Sequence, residues 1–514
     1  MESSRNDRQP LLTASDEFAS GEAFFRTDQE KRPWIPVRYL MVILAFFGFC
    51  NLYALRVNMS IAIVSMVITN SSNGESHENT GQDVCPHPNK SSSSHVVTGE
   101  FVWDSQTQGI ILGSFFYGYI FTQLAGAEIA KRYGPKHPFG FSVLISGLLA
   151  LLIPTAARWS TGALITIRTL QGFFQGVCFP SMHSFLGNWA PTLERTKMAT
   201  IAYSGTQTGT VISLLLSGWI AEWAGWEWIF YTFGACACVW YLFWVFLAFD
   251  SPERHPSISQ VERAYIVGAS GKSKVVVANP SVPWRKIFLS LPVWAICVAH
   301  FGNNWGFYTL LTNLSTYFST ILHFSLKENG FLSALPYLAM AVFMPICGYF
   351  ADSLRSFRVL STTGVRKVFH VTGQLLPAVC LVSVGYVGCN SSLAVALLVL
   401  AVASSAFAQS GYQVNHVDIS PNFAGILMGI SNTLATVPGI VGPYVVGLIT
   451  SSSLGQLEQW RLVFFISAGV YVVTAIFYAI FASGELESWE RKTVRDDVEE
   501  DRETLPVYSK DPRI

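Results

Sequence analysis

The sequence predicts an all-α membrane protein of twelve transmembrane helices in two six-helix halves, and three observations carry that prediction. Composition is the first: 51% of the 514 residues are hydrophobic and 13% charged, against roughly 25% charged in a soluble domain. Charge placement is the second. Stretches 40–54, 139–157 and 462–482 hold no Asp, Glu, Lys or Arg, and crossing the hydrocarbon takes about 20 mostly apolar residues. Repetition is the third: apolar segments fall near 38–69, 105–130, 138–157, 161–189, 197–222, 226–249, 287–321, 327–351, 367–388, 392–415, 421–450 and 460–482. A polar connection, 250–286, divides six from six. Net charge is zero, and no nucleic-acid partner is expected.

The elements can be justified in chain order. Residues 1–37 are polar, without the short apolar core of a cleavable signal peptide. This expected cytoplasmic tail contains Asp7-Arg8-Gln9-Pro10-Leu11-Leu12. An acidic residue four positions before a Leu-Leu pair has the form of a dileucine sorting signal read by adaptor complexes at acidic organelles; a chance pair is the plainer reading. Basic residues set the orientation. With both termini cytoplasmic, the connections on that side hold Lys131, Arg132, Lys136, Arg195, Lys197, Arg254, Arg263, Lys272, Lys274, Arg285, Lys286, Arg355, Arg358, Arg366 and Lys367, while the opposite side shows Lys90, Arg158, Lys327 and Arg461. The loop at 70–104 then faces the lumen or the outside, and so do all three glycosylation sequons, at Asn70, Asn89 and Asn390. Cys85 and Cys389 share that side; they can pair but need not, and the other cysteines suit packing. Residues 483–514 form a second charged cytoplasmic tail.

Candidate chemistry lies inside the bundle. Arg56 falls within the first span, where insertion of a charge costs about 2.5–3.5 kcal/mol. Its planar fork fits a carboxylate through two hydrogen bonds, and Tyr53 and Phe49 share its face. The rival reading is an Arg that snorkels or pairs with an internal acid, and few acids are available. Phe115, Tyr119 and Gln123 recur at i, i+4 and i+8 on the second span, as the lining of a site or as packing. Arg168, Gln171 and Gln175 share one face of the fourth, with His183 beyond a kink expected at Pro180. Tyr203 on the fifth span, Asn304, Trp305 and Tyr308 on the seventh, and Ser410 and Tyr412 on the tenth are further candidates. No H-E-x-x-H, G-x-S-x-G or Cys/His cluster occurs, so no metal, cofactor or catalytic site is expected.

Two internal copies of a loop carry a resemblance. Gly126-Ala-Glu-Ile-Ala-Lys131-Arg132-Tyr-Gly134 and Gly348-Tyr-Phe-Ala-Asp352-Ser-Leu-Arg355 resemble the gating loops of the major facilitator superfamily, the first departing from the pattern with Ala130 in place of Asp. Arg168-Thr-Leu-Gln171-Gly172 resembles that superfamily's R-x-x-Q-G motif. Leu52-Tyr-Ala-Leu-Arg56-Val-Asn58, Phe179-Pro-Ser-Met-His183, Trp189-Ala-Pro-Thr-Leu-Glu194-Arg195 and Asn415-His416-Val-Asp418 are similar to solute carrier family 17.

The resemblance implies secondary active transport of a small organic anion by alternating access, with a proton or sodium as coupling ion, in a lysosomal or vesicular membrane in contact with lipid. It implies a substrate-carboxylate contact at Arg56 and a gating role for Lys131, Arg132, Asp352 and Arg355. In the family's lysosomal acidic-sugar exporters both positions matching Gln171 and Gln175 are Glu, and these are regarded as proton-coupling groups. A buried carboxylate titrates in the working range; an amide does not. Proton coupling is therefore expected to be weak or absent unless His183, whose ordinary pKa is about 6.5, or Glu128 stands in. The alternative is a sodium- or potential-driven anion, phosphate or urate carrier, since one charge gains about 2.3 kcal/mol per 100 mV.

Overall fold

The computed structural model describes residues 35–68, 85, 99–191, 194–269, 282–421, 423–452 and 455–489. Asp7, Leu11, Leu12, Asn70 and Asn89 lie outside them. Twelve helical spans are present among the described residues: span 1 Val37–Met66, span 2 Ser105–Tyr133, span 3 Lys136–Trp159, span 4 in two pieces (Thr161–Gln175 and Cys178–Trp189), span 5 Arg195–Trp223 and span 6 Trp226–Leu247. The second set is span 7 Leu291–Thr320, span 8 Leu326–Ser356, span 9 Thr362–Val387, span 10 Ser391–Ile419, span 11 Ala424–Thr450 and span 12 Gln456–Phe481. Helix ends are named below by the orientation that the charge pattern assigns.

Eight of these spans are long and apolar enough to cross a membrane by composition alone. Spans 2, 4, 5 and 7 fall short because they carry Gln123, Arg168, Gln171, Gln175, Thr206, Thr210, Asn303 and Asn313, all buried. Polar groups at membrane depth are tolerated where they face the bundle interior. Outward, the surface is apolar: Phe121, Phe246, Tyr349, Val473 and Ile480 are all more than half exposed, as a lipid-facing surface requires. One core cluster fills the first half around Phe49, Phe139, Phe185 and Trp244. Another bridges the halves, joining Val57, Phe115, Phe116 and Tyr119 to Tyr308, Leu311, Tyr317 and Tyr337.

The halves meet closely at their luminal ends. A Cβ on Gly109 would lie 2.4 Å from the Pro443 carbonyl oxygen, and one on Gly218 would lie 2.9 Å from the Gly330 Cα. At the cytoplasmic ends of spans 8 and 11, a Cβ on Gly348 or Gly425 would meet nothing within 4 Å. The tightest backbone contacts between the halves thus gather toward the luminal ends. Cys85 and Cys389 are joined as a disulfide with Cα atoms 5.3 Å apart, so the two loops that carry them lie on one side.

Four local expectations change. The break in span 4 falls at Gly176-Val177 rather than at Pro180; proline lacks the N–H that would bond the carbonyl four residues back, so the ladder opens there. Span 7 begins at Leu291, after a separate short helix, Trp284–Leu289, because Ser290 caps it and Pro292 occupies its first turn. Arg366 is no loop cation: it is buried in span 9 and bonded to Asp418. The start of the C-terminal tail is docked, since Trp489 is buried with its indole N–H donating to the Ser420 hydroxyl, and the Glu487 amide donates to the Ile419 carbonyl. Between the halves, a helix at Gln260–Ala269 brings Glu262 to the start of span 1, where its carboxylate accepts from the Val37 and Arg38 amides at 3.1 Å each. An anion at the first free N–H groups of a helix satisfies them and matches the helix dipole.

Candidate functional site

Span 1 places Arg56 at the junction of the two halves, 6% exposed. Its guanidinium carbon sits 4.7 Å from the Tyr53 ring centre, 4.6 Å from Phe115 and 4.7 Å from Tyr119. Nε and Nη1 are buried and make no hydrogen bond among the described residues, and no carboxylate pairs with this cation among them. Aromatic faces attract a cation, yet they leave Nε and Nη1 unsatisfied. The aromatic wall continues across the interface: Phe115 meets Phe116 at 5.3 Å, and Phe116 meets Tyr308 of span 7 at 4.6 Å.

Arg168 is buried behind this wall, 5.5 Å from the Phe115 ring. Its Nη1 donates to the Leu55 carbonyl and to Gln171 Oε1, and its Nη2 to the Arg56 carbonyl, all at 3.1 Å. Gln171 in turn donates to the Ser146 carbonyl at 3.0 Å. Arg168 and Gln171 thus fix the backbone on which Arg56 stands and tie spans 1, 3 and 4 together. A small cavity is lined by Arg56, Arg168, Phe115, Phe116, Leu311 and Thr312: two buried cations and no acid. Gln175 is buried with both amide atoms unbonded among the described residues.

Other candidates divide into groups. Tyr203 stacks on Phe179 at 5.8 Å and lies 5.3 Å from the His183 ring, with its hydroxyl unbonded among the described residues. Phe49 joins this cluster, 5.1 Å from Tyr203, and not the Arg56 box. His183 is exposed, on the cytoplasmic piece of span 4. Asn304 donates to the Ala435 carbonyl of span 11 at 3.0 Å, and the Trp305 indole is buried and unbonded among the described residues. Ser410 lies in a π-helical turn, Gln409–Gln413, its hydroxyl bonded back to Ala406 and its carbonyl accepting from Arg366; it belongs to the cytoplasmic end of span 10. Asn390 caps span 10, accepting from the Leu393 amide, so the two serines of its sequon open that helix.

At the cytoplasmic ends, Asp352 pairs loosely with Arg355 at 3.7 Å, and Arg355 reaches Asp418 at 3.9 Å. Asp418 is held far more tightly by Arg366, at 2.6 Å. Arg132 lies exposed over Tyr133 at 5.6 Å, Glu128 is exposed, and the Lys131 side chain lies outside the described set. Glu194, at the start of span 5, accepts from Arg38, Tyr39 and Tyr265, and the Arg38 hydrogen bond holds its carboxyl below the usual range, with burial opposing.

Sequence reasoning missed three arrangements. Gln123 donates to Thr436 at 2.7 Å and accepts from Asn432, joining span 2 to span 11 across the halves; a polar residue closing the Phe115–Tyr119 stripe was the available signal. Arg366 and Asp418 were visible separately, but their pairing across 52 residues was not. His300 and His416 both contact the Ser431 hydroxyl, a juxtaposition with no local spacing.

With this geometry in place, comparisons with known proteins are informative. Residues 41–443 match the Major Facilitator Superfamily. Human sialin is 47% identical over 454 residues, covering 88% of this chain and 90% of that one. Bovine vesicular glutamate transporter 1 is 42% identical over 461 residues, covering 88% and 78%. Among solved structures, a bacterial homologue of the human lysosomal transporter Spinster, inward-facing and unoccupied, superposes with a TM-score of 0.64 at 14% identity, covering 90% of this chain and 99% of that one. The D-xylose–proton symporter gives 0.63 at 15% identity, covering 87% and 98%.

Proposed function

The chain belongs to the major facilitator superfamily, in the group that includes sialin and the vesicular glutamate transporters, and as such is a multi-pass membrane transporter of organic anions; from that premise we propose that it carries a carboxylated acidic sugar of the sialic acid type across a lysosomal or vesicular membrane. The observation that carries this reading is Arg56, a buried guanidinium with free donors and no acid among the described residues. An unpaired buried charge costs several kcal/mol, and a substrate carboxylate supplies the missing counter-ion and accepts two N–H donors at once. Tyr53, Phe115 and Tyr119 give flat apolar faces, the two tyrosines with hydroxyl edges, suited to a sugar ring, and acidic amino acids present the same carboxylate. Tyr203, Asn304, Tyr308 and Ser410 are proposed as further contacts during the cycle, and Lys131, Arg132, Asp352 and Arg355 as gating groups.

Arg56→Ala should abolish uptake into proteoliposomes and Arg56→Lys should lose most of it, because an ammonium cannot reproduce the bidentate fork. Normal uptake by a folded Arg56→Ala protein overturns the reading. A second reading is movement driven by sodium or membrane potential alone, and the amides at Gln171 and Gln175 favour it. A panel of sialic acid, glucuronate, glutamate, urate and phosphate, with and without a pH gradient, separates the two. The proposed address rests on Asp7, Leu11 and Leu12, read by adaptor complexes; converting both leucines to Ala should shift the protein to the cell surface, and unchanged lysosomal imaging would place the signal elsewhere.

A further inference from the structure

We propose that His300, Ser431 and His416 form a proton-binding relay in the second half, which couples proton movement to the anion site. This rests on the organic-anion reading above and adds to it the group that titrates.

The geometry dictates the protonation pattern. His416 Nδ1 lies 3.0 Å from the Gln413 carbonyl, which only accepts, so Nδ1 carries a hydrogen and a neutral His416 must accept at Nε2. The Ser431 hydroxyl lies 2.8 Å from that Nε2 and donates to it. Having spent its one hydrogen, Ser431 Oγ accepts from His300 Nδ1 at 3.2 Å. His300 Nε2 then remains as the free acceptor, with no hydrogen bond among the described residues. A proton arriving there forms a new N–H bond at Nε2. The Nδ1–H proton passes to Ser431 Oγ, and the serine's own proton passes to His416 Nε2. One proton has entered, His300 is again neutral in its other tautomer, and His416 is an imidazolium. A second state is also built in: the Met428 carbonyl lies 3.2 Å from Ser431 Oγ, so the hydroxyl can turn to it while the imidazolium donates to the oxygen.

The relay stands where it can act on transport. His300, Asn304 and Tyr308 follow one another at i, i+4 and i+8 on one face of span 7, and Tyr308 packs on the aromatic wall beside Arg56. Ser431 precedes Asn432, which donates to Gln123 of span 2, and Asn304 donates to Ala435, just past the end of the same helical piece. The serine that changes partners therefore sits next to the bonds that close span 11 against the first half.

No carboxylate among the described residues pairs with either relay histidine, and the Tyr412 ring lies 5.0 Å from His300. Span 9 presents His370, whose ring meets Tyr412 at 5.7 Å and Tyr478 at 4.3 Å, and Arg366, which is paired with Asp418 of span 10. Span 8 adds Arg355, on the same Asp418. Glu487 of the docked tail accepts from Ser290, and Lys286 lies in the short helix before span 7. Span 2 contributes the neutral Gln123, with Glu128 exposed five residues further toward the cytoplasm.

The test uses the full chain in proteoliposomes, comparing it with Ser431→Ala, His300→Gln and His416→Gln. Anion counterflow without any gradient is read in the same vesicles as pH-gradient-driven uptake. The unmodified protein should gain about tenfold accumulation per unit of pH gradient for one proton per anion, and each variant should lose that gain relative to its own counterflow. Variants that keep the full gain, or an unmodified protein that has none, overturn the relay. Absent counterflow with every anion of the panel overturns the anion reading instead. Infrared difference spectra between about pH 5 and about pH 7.5 then judge the relay without substrate. A protonated-imidazole band missing from His416→Gln supports it, and identical spectra refute it.

Discussion

Arg56 was legible in the sequence because a permanent charge inside an apolar run is rare, and its aromatic neighbours followed from helical spacing: Tyr53 on its own helix and the Phe115–Tyr119 pair on the next. What spacing could not show is which aromatic belongs to which group. Phe49 shares a face with Tyr53 yet packs with Tyr203 and Phe179, because the seven residues from Phe49 to Arg56 span about 10 Å of helix, far enough to enter a different cluster. The two glutamines of span 4 also separate only in three dimensions. Gln171 bonds Arg168 and the Ser146 carbonyl at once, a task that needs both an acceptor and a donor, so Gln171→Glu should lose the Ser146 bond and lower the melting temperature. Gln175 makes no such bond among the described residues and is free to change. Gln175→Glu adds an acid to the face of span 4 that carries Arg168. At neutral pH its carboxylate should compete with the substrate, raising the apparent KM for uptake several-fold, and protonation at acid pH should relieve the competition. An unchanged KM at both pH values would mean that residue 175 lies outside the anion's electrostatic reach.

Spans are held at close range where the motifs require small residues. A Cβ on Gly172 would lie 1.7 Å from the Phe115 carbonyl oxygen, so the last residue of the R-x-x-Q-G motif is small because spans 2 and 4 touch backbone to backbone at the level of Arg56. Gly172→Ala should force these spans apart, at a cost of about 1–3 kcal/mol or more, and tilt Phe115 away from the guanidinium; a fall in melting temperature together with lost uptake checks it. The helices themselves were readable from apolar runs to within a few residues. Their ends were not, wherever a distant group decides them: the Glu262 carboxylate at span 1, 225 residues from Val37, and Trp489 beneath span 10. Burying a large indole contributes on the order of 3–5 kcal/mol when it is truncated in a core, so Trp489→Ala should lower thermal stability measurably in a melting experiment.

At the scale of the whole molecule, the luminal end of the first half is tied by an ion cluster of its own. There Arg158 donates to Glu100 at 2.7 Å and also meets Glu227. The Arg158 hydrogen bond is the main reason that the Glu100 carboxyl stays below the usual range. A carboxylate lowered in the folded state contributes its stability above its ordinary value, about 4.3, and loses it only as pH falls through the lower folded value. The cluster therefore persists at about pH 5. Arg158→Gln should lower the melting temperature alike at neutral pH and at about pH 5, with the difference shrinking only below about pH 4; a difference that vanishes by pH 5 would place the titration elsewhere. The same end carries the Cys85–Cys389 bond, and its consequence concerns the order of assembly. Cys85 reaches the lumen with the first loop, but its partner arrives 304 residues later, after nine spans have been threaded. Until then Cys85 is an open thiol in an oxidising compartment, free to engage wrong partners, and the first half must wait, already folded around its own core, for the second to deliver the closing residue. Cys389→Ser should accordingly leave a chain that inserts and spans normally but accumulates mixed disulfides during synthesis, visible as adducts on non-reducing gels, whereas the double Cys85→Ser, Cys389→Ser chain should mature without them.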